Sequence, residues 1–240
     1  MSISRRPAGL LCKLGQSMGA TMIKVAIVDD HELVRTGIMR ILGDMSDMEV
    51  VAEASSGEEA VQLVRQYQPD VVLMDVNMPG IGGFEATRKL VQMFPGLKVV
   101  VVTIHVDDPF PSRMLQAGAM GYLTKGCGVN EIVTAIREVF AGRRYISADV
   151  AQHLALKLMP GGEHSPFDSL SPRELQVMLM LTQGTKVQEI SDKLCLSPKT
   201  VSTYRHRLYD KLGVSSDVAL TRLAMRFGVV DDALDANING

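Results

Sequence analysis

The chain has 240 residues, enough for one large domain or two ordinary ones, and either would bury a substantial core. Its 46% hydrophobic and 22% charged content is that of a soluble globular protein and excludes long disordered tracts, while a formal charge of -2 selects no partner by itself. Three scattered cysteines, Cys12, Cys127 and Cys195, lack disulfide or metal-ligand spacing and no apolar run reaches the length of a membrane span, so a reducing, cytoplasmic location is expected.

Residues 1–21 open with Arg5 and Arg6 before Leu10, Leu11 and Cys12, a faint imitation of a signal sequence. Pro7 and Lys13 interrupt the apolar part, which is too short for a signal core, so the segment reads as a flexible N-terminal extension. From residue 23 to about 143, short β-branched runs alternate with amphipathic stretches. Strands are expected at 23–28, 49–54, 70–74, 98–104 and 121–124, with helices near 31–43, 56–67, 83–94, 110–117 and 129–141. Strands apolar on both faces and interleaved with helices imply a parallel sheet sandwiched by helices, which gathers ligand groups at the carboxyl ends of its strands.

After Tyr145 the strand rhythm stops. A short helix at 149–158 leads into MPGGEHSPF, whose Pro, Gly and Ser content reads as a linker. Only helices are expected beyond it, at 171–183, 186–194, 198–212 and about 215–227. Ser171-Pro172-x-Glu174 and Ser197-Pro198 supply capping signals at two helix starts.

The chemistry-bearing residues of the first part all sit at strand ends. Asp29 and Asp30 follow the first strand, Asp75 the third, Thr103 closes the fourth and Lys125 follows the fifth. With strand order 2-1-3-4-5 these ends converge on one rim. Singly, each residue has an ordinary reading: Asp30 as a helix cap, Thr103 as a strand former, Lys125 as a surface charge. Together, three carboxylates would repel one another unless a cation compensates. Mg²⁺ takes hard oxygen ligands, and a carboxylate beside it, with an ammonium and a hydroxyl nearby, suits acceptance of a phosphoryl group.

In the second part, between Lys186 and Lys211, six Lys/Arg face three Asp/Glu, and Lys199, Arg205, Arg207 and Lys211 gather on one helix. Charge alone fits a solvated bundle surface. A tight turn, capped starts and a polar outer face on the second helix fit a helix-turn-helix, in which cations hold phosphates and short side chains reach base edges.

VDDH (28–31), LMDVNMPGIGG (73–83), VVVT (100–103) and GYLTKG (121–126) resemble the motifs of a response-regulator receiver domain. The resemblance implies a flavodoxin-like (βα)5 fold, Asp75 as phospho-acceptor, and Mg²⁺ held by Asp29, Asp30, Asp75 and the main-chain oxygen of Asn77. It also implies Thr103 and Lys125 as phosphate-contacting groups and Tyr122 as a switch aromatic. Gly126 departs from the Pro that many receivers carry after the Lys, which leaves that turn's geometry open. LSPRE and EISDKLCLSPKTVSTYRHRLYDKL resemble the LuxR-type four-helix DNA-binding domain. That likeness implies Ser202, Thr203 and His206 as base contacts, Lys199, Thr200, Arg205, Arg207 and Lys211 as phosphate contacts, and the last helix as a dimer surface.

Jointly the halves resemble the NarL/FixJ-family regulators of two-component systems, of the GacA/UvrY type. The expected domains are a receiver at 22–143, a linker with a short helix at 144–166, the DNA-binding domain at 167–232 and a tail at 233–240. The expected function is transcriptional control set by phosphoryl transfer from a BarA/GacS-like sensor histidine kinase. The targets would include small regulatory RNA genes, bound as double-stranded DNA by a phosphorylated homodimer. A Mg²⁺-dependent phosphatase and a phosphorylation-independent DNA binder are the rival readings. Against the phosphatase, Asn77 stands where such enzymes place a second carboxylate.

Overall fold

The structure is a computed structural model and describes residues 22–78, 80–104, 110–157, 165–227 and 229–230. The N-terminal extension, most of the expected linker tract and the tail lie outside these residues. In chain order the elements are β1 (Ile23–Val28), α1 (Glu32–Gly43), β2 (Met48–Ala54), α2 (Gly57–Tyr67), β3 (Val71–Met74), α3 (Gly82–Met93), β4 (Lys98–Thr103), α4 (Phe110–Gln116), β5 (Gly121–Thr124), α5 (Val129–Phe140), β6 (Tyr145–Ile146), α6 (Ala148–Lys157), a 3-10 turn (Pro166–Ser169), α7 (Pro172–Thr182), α8 (Val187–Leu194), α9 (Pro198–Leu212) and α10 (Asp217–Arg226).

The sheet is parallel throughout in the order β2-β1-β3-β4-β5-β6. Its strands alternate between two cores, as a period of two requires. Val25, Ile27, Leu73, Val100 and Leu123 pack with Ile38 and Leu42 of α1 and Ile132, Ile136 and Val139 of α5. Ala26, Val28, Val72, Met74 and Val99 pack with Leu63 and Val64 of α2 and Ala86 and Leu90 of α3. Each fully buried aliphatic side chain contributes about 1.5–3 kcal/mol relative to exposure.

The sheet has one strand more than the expected five. Gly121 pairs with Tyr145 and Tyr122 with Ile146, so β6 joins the edge of the sheet from a segment read as the start of the linker. Two residues cannot display a period, and only the neighbouring β5 makes them a strand.

Ser171 caps α7 through a reciprocal capping box with Glu174, and Ser197 caps α9 by accepting from the Thr200 N–H. Cys195, with a left-handed φ of 53°, ends α8 and opens the turn into α9. A third core joins the two halves: Val76, Phe84, Phe110, Met114 and Tyr122 cluster with Phe167, Leu175, Met178 and Leu181. At this junction Arg173 of α7 stands 3.6 Å from Glu85 of α3, and Arg113 of α4 donates to the main-chain oxygens of Asp168 and Leu170.

Candidate functional site

The register brings the acidic residues together. Val28 pairs with Met74, so Asp29 and Asp75 leave adjacent strands at one level, and the Asp75 N–H donates to the Val28 oxygen at 2.8 Å. Thr103 pairs with Thr124, and the Lys125 N–H donates to the Thr103 oxygen, also at 2.8 Å. The Lys125 ammonium then lies 2.8 Å from Asp29 Oδ2 and 3.1 Å from Asp75 Oδ2. Asp30 is exposed beside them.

Asp75 is only 2% exposed. Its Oδ1 accepts the Val76 N–H at 2.7 Å, whereas Oδ2 has Lys125 at ion-pair distance but no hydrogen bond of acceptable direction. Burial pushes its pKa from 3.8 up to about 6. Lys125 pulls against that shift and the neighbouring Asp29 adds to it. Lys125 itself is raised: burial opposes its charge, and the Asp75 and Asp29 carboxylates outweigh burial.

One ammonium among Asp29, Asp30 and Asp75 leaves surplus negative charge and an unsatisfied buried oxygen. That donor set fits a hard divalent cation. His31 belongs to the same cluster: Asp29, Asp30, His31 and Asp75 present ligand atoms within 4.8 Å of one another. The His31 N–H donates to Asp29 Oδ1 at 2.8 Å, and its Nδ1 is 2.8 Å from Asp30 Oδ1. Within VDDH, His31 carries no role that residue type or spacing alone would assign. Its position directly after the acid pair was the available signal.

Gly83 is another residue whose part was missed. A Cβ there would meet the Asp75 oxygen at 1.8 Å and Val76 Cα at 2.9 Å, so only glycine lets α3 start against the β3 end. Asn77 lies half-buried in the loop between them. Thr103 and Tyr122 are both fully buried, and Tyr122 belongs to the core shared by the two halves. No metal-ligating cluster of His, Cys, Asp and Glu other than the one at this rim is found among the described residues.

The expected DNA contacts on α9 divide into three groups. At about 100° per residue, Lys199, Thr203, His206 and Arg207 share one arc opposite the buried Val201 and Leu208, and all four are exposed. Thr200 and Ser202 are half-buried, and Thr200 Oγ1 is engaged with the capping Ser197 Oγ at 2.8 Å. Arg205 and Lys211 flank the buried stripe and are tied inward. Lys211 donates to Glu174 Oε2 at 2.7 Å and to the Ser169 oxygen at 3.1 Å. Arg205 pairs with Asp217 at 2.6 Å and donates to the Tyr209 hydroxyl at 2.8 Å. Tyr204 packs against the same core as Leu208. On α10, Val218 is exposed and Phe227, just past its end, meets Phe167 edge-on at 5.8 Å.

None of the described helices is long and apolar enough to cross a membrane. Residues 25–137 match the family described as the response regulator receiver domain, and 168–224 match the bacterial regulatory proteins of the luxR family. The chain is 61% identical over 213 residues to the response regulator GacA of Pseudomonas aeruginosa, covering 88% of this chain and all of GacA. It is 54% identical over 209 residues to the response regulator UvrY of Escherichia coli K12, covering 87% of this chain and 96% of UvrY. Among solved structures it resembles the RcsB response regulator of Salmonella typhimurium at 25% identity and a TM-score of 0.69, over 88% of this chain and 99% of RcsB. A complex of RcsB with DNA matches at 26% identity and a TM-score of 0.55, over 88% of this chain and 100% of that one. The chain belongs to the GacA/UvrY-type two-component response regulators, DNA-binding regulators of transcription in which a receiver domain precedes a LuxR-family domain.

Proposed function

We propose that this regulator accepts a phosphoryl group on Asp75 from a histidine of a BarA/GacS-like sensor kinase and controls transcription through α9. The observation that carries the reading is the Asp75 carboxylate: buried at a strand end, raised in pKa, and undercompensated by Lys125. Asp29, Asp30, Asp75 and the main-chain oxygen of Asn77 are the residues that would hold Mg²⁺. When bound, that ion supplies neutralisation of the charge on the transferring oxygens and on the carboxylates around them.

The remaining work falls to the chain itself. Val76 N–H engages Asp75 Oδ1, which leaves Oδ2 as the attacking oxygen. A new O–P bond forms at Oδ2 as the P–N bond to the donor imidazole breaks, and the bonding pair returns to the imidazole nitrogen. The Lys125 ammonium, already beside Oδ2, pairs with an oxygen of the incoming group. Thr103 hydrogen-bonds that group, and the shift is read by Tyr122, whose ring lies in the core that both halves share. The protein is thus a phospho-accepting regulator that promotes only its own phosphoryl transfer and hydrolysis. Lys199, Thr203, His206 and Arg207 form the surface offered to double-stranded DNA by a homodimer, and small regulatory RNA genes are among the targets. The working division is a receiver at 22–143 and a DNA-binding domain at 167–232.

The test is incubation with acetyl phosphate and Mg²⁺. The wild type should yield a long-lived, hydroxylamine-sensitive acyl phosphate and bind DNA more tightly, and Asp75→Ala should do neither. Persistent labelling of Asp75→Ala, or rapid turnover of many phosphomonoesters by the wild type, would sink the reading.

A further inference from the structure

Two of the four cations expected on α9 to hold phosphates point away from the exposed face, and Arg205 leads to a residue with no assigned role. Asp217 is the first residue of α10, after the Ser216 cap. Its carboxylate collects three donations from α9. Arg205 Nε lies 2.9 Å from Oδ1 and Nη2 lies 2.6 Å from Oδ2, a two-point pairing that fixes the guanidinium plane. The Tyr209 hydroxyl donates to Oδ1 at 2.6 Å and also receives from Arg205 Nε at 2.8 Å, so that N–H is shared between two acceptors. The guanidinium also stands 5.6 Å from the Tyr209 ring centre.

Helical geometry explains why this cluster forms a flank. Arg205 and Tyr209 are four residues apart and lie one above the other. At about 100° per residue they sit on the edge of the apolar stripe formed by the buried Val201 and Leu208 and the half-buried Leu212. Lys199, Thr203, His206 and Arg207 lie within an arc of about 100° on the opposite side. Arg205 therefore cannot join these four without leaving Asp217. α10 is anchored independently, through the fully buried Leu220 and Ala224 in the C-terminal core.

We infer that Asp217 is a positioning residue for DNA reading: by holding Arg205 and Tyr209 it sets the angle at which α9 presents Lys199, Thr203, His206 and Arg207. Arg205 on this view orients the reading helix and holds no phosphate. The inference rests on α9 being the DNA-reading helix. Nothing in the sequence distinguishes Arg205 from Arg207 two residues later, because only the neighbouring helix decides which of them is held.

The experiment uses the full chain and two probes: a duplex enriched from a randomised library on the wild-type protein, and a duplex of scrambled sequence. Affinities for both are measured across a salt series, and melting temperatures recorded, for wild type, Arg205→Ala, Asp217→Ala, the double variant R205A/D217A, Asp217→Asn and the reversed pair R205D/D217R. Positioning predicts that Arg205→Ala and Asp217→Ala each cut the preference for the enriched duplex about tenfold. The double alanine variant should be no worse than the worse single, and the reversed pair should recover most of the preference. The slope of log affinity against log salt should not change, since no phosphate contact is lost.

Three results would overturn the inference. One is a slope reduced by about one in Arg205→Ala with preference intact in Asp217→Ala, which makes Arg205 a phosphate contact. Another is a lowered melting temperature with preference and slope both unchanged, which makes the cluster a stabilising device only. Asp217→Asn keeps the shape of the site and guards against a variant that fails to fold. The third is a wild type that cannot tell the enriched duplex from the scrambled one, which removes the DNA-reading role of α9 itself and is thereby distinguishable from the other two.

Discussion

Asp75 and Glu174 are almost equally inaccessible, at 2% and 3% exposure, yet Asp75 lies much deeper below the surface and the two behave as opposites. Burial raises both. For Asp75 burial wins, because the carboxyl is the deeper of the two and the one cation beside it is shared with Asp29, whose own charge adds to the rise. For Glu174 burial is outweighed by the Lys211 ammonium and by donation from Ser171 N–H at 2.6 Å, and its carboxyl is held below the usual range. The receiver rim is thus left short of positive charge, whereas Glu174 in the helical half is fully paired. On the proposed function the difference is expected: a site that recruits a cation and a phosphoryl group is left incomplete, and a scaffold that presents a helix is completed.

The largest effect should come from removing the incomplete charge. Asp75→Asn should abolish acyl-phosphate formation from acetyl phosphate and Mg²⁺, scored by phosphate-affinity electrophoresis, and any residual band above the zero-donor control would break the contrast.

The same variant sharpens the electrostatics. Because the folded pKa of Asp75 lies above its ordinary 3.8, the folded state holds that proton more tightly than the unfolded one. Without divalent ions, stability should therefore decline as pH rises from about 4 to about 6, by on the order of 3 kcal/mol, and level off above that. Denaturant melts in a chelating buffer should show this decline as the difference between wild type and Asp75→Asn, since the depressed carboxyls such as Glu174 titrate with the opposite sign in both. Adding Mg²⁺ at neutral pH should raise the melting temperature of the wild type much more than that of the variant.

Glu174 should show the reverse sign. Its carboxyl is depressed, so the stability it contributes is complete above its ordinary 4.5 and is lost as pH falls through the folded value. Glu174→Gln should cost about 1–2 kcal/mol at neutral pH, with the deficit shrinking below about pH 4.5. A deficit that does not depend on pH would mean that the Lys211 pair contributes nothing.

The smallest effect concerns the exposed cations. Lys199→Ala should lower the salt slope of DNA binding by about one and weaken enriched and scrambled duplexes alike. Lys211→Ala should leave that slope unchanged and lower stability instead. Equal slopes for the two variants would erase the distinction between presented and internally paired cations.

The receiver rim was legible because parallel-sheet geometry turns sequence position into spatial position. Asp29, Asp75, Thr103 and Lys125 each follow or close a strand, and adjacent strands end at one level. The caps of α7 and α9 were legible because they are local, three residues from acceptor to donor. The sixth strand was not, since Tyr145 and Ile146 become β6 only by lying against Gly121 and Tyr122. Gly83 was hidden for the same reason: its requirement arises from the Asp75 oxygen, which the chain brings to it by turning back on itself.

What the sequence by itself determined was the alternation of buried strands and helices, the converging acids, and the basic helix behind its capped turn. All of these follow from periodicity and from residue types at short range. Only the tertiary structure decided which charges on α9 remain outward. Arg205, Arg207 and Lys211 are equivalent as letters on one helix, and Asp217 and Glu174, brought up from other helices, take the first and the last. Pairing a charge requires a partner within a few ångströms, and that proximity is a property of packed helices and is absent from the order of residues along one of them.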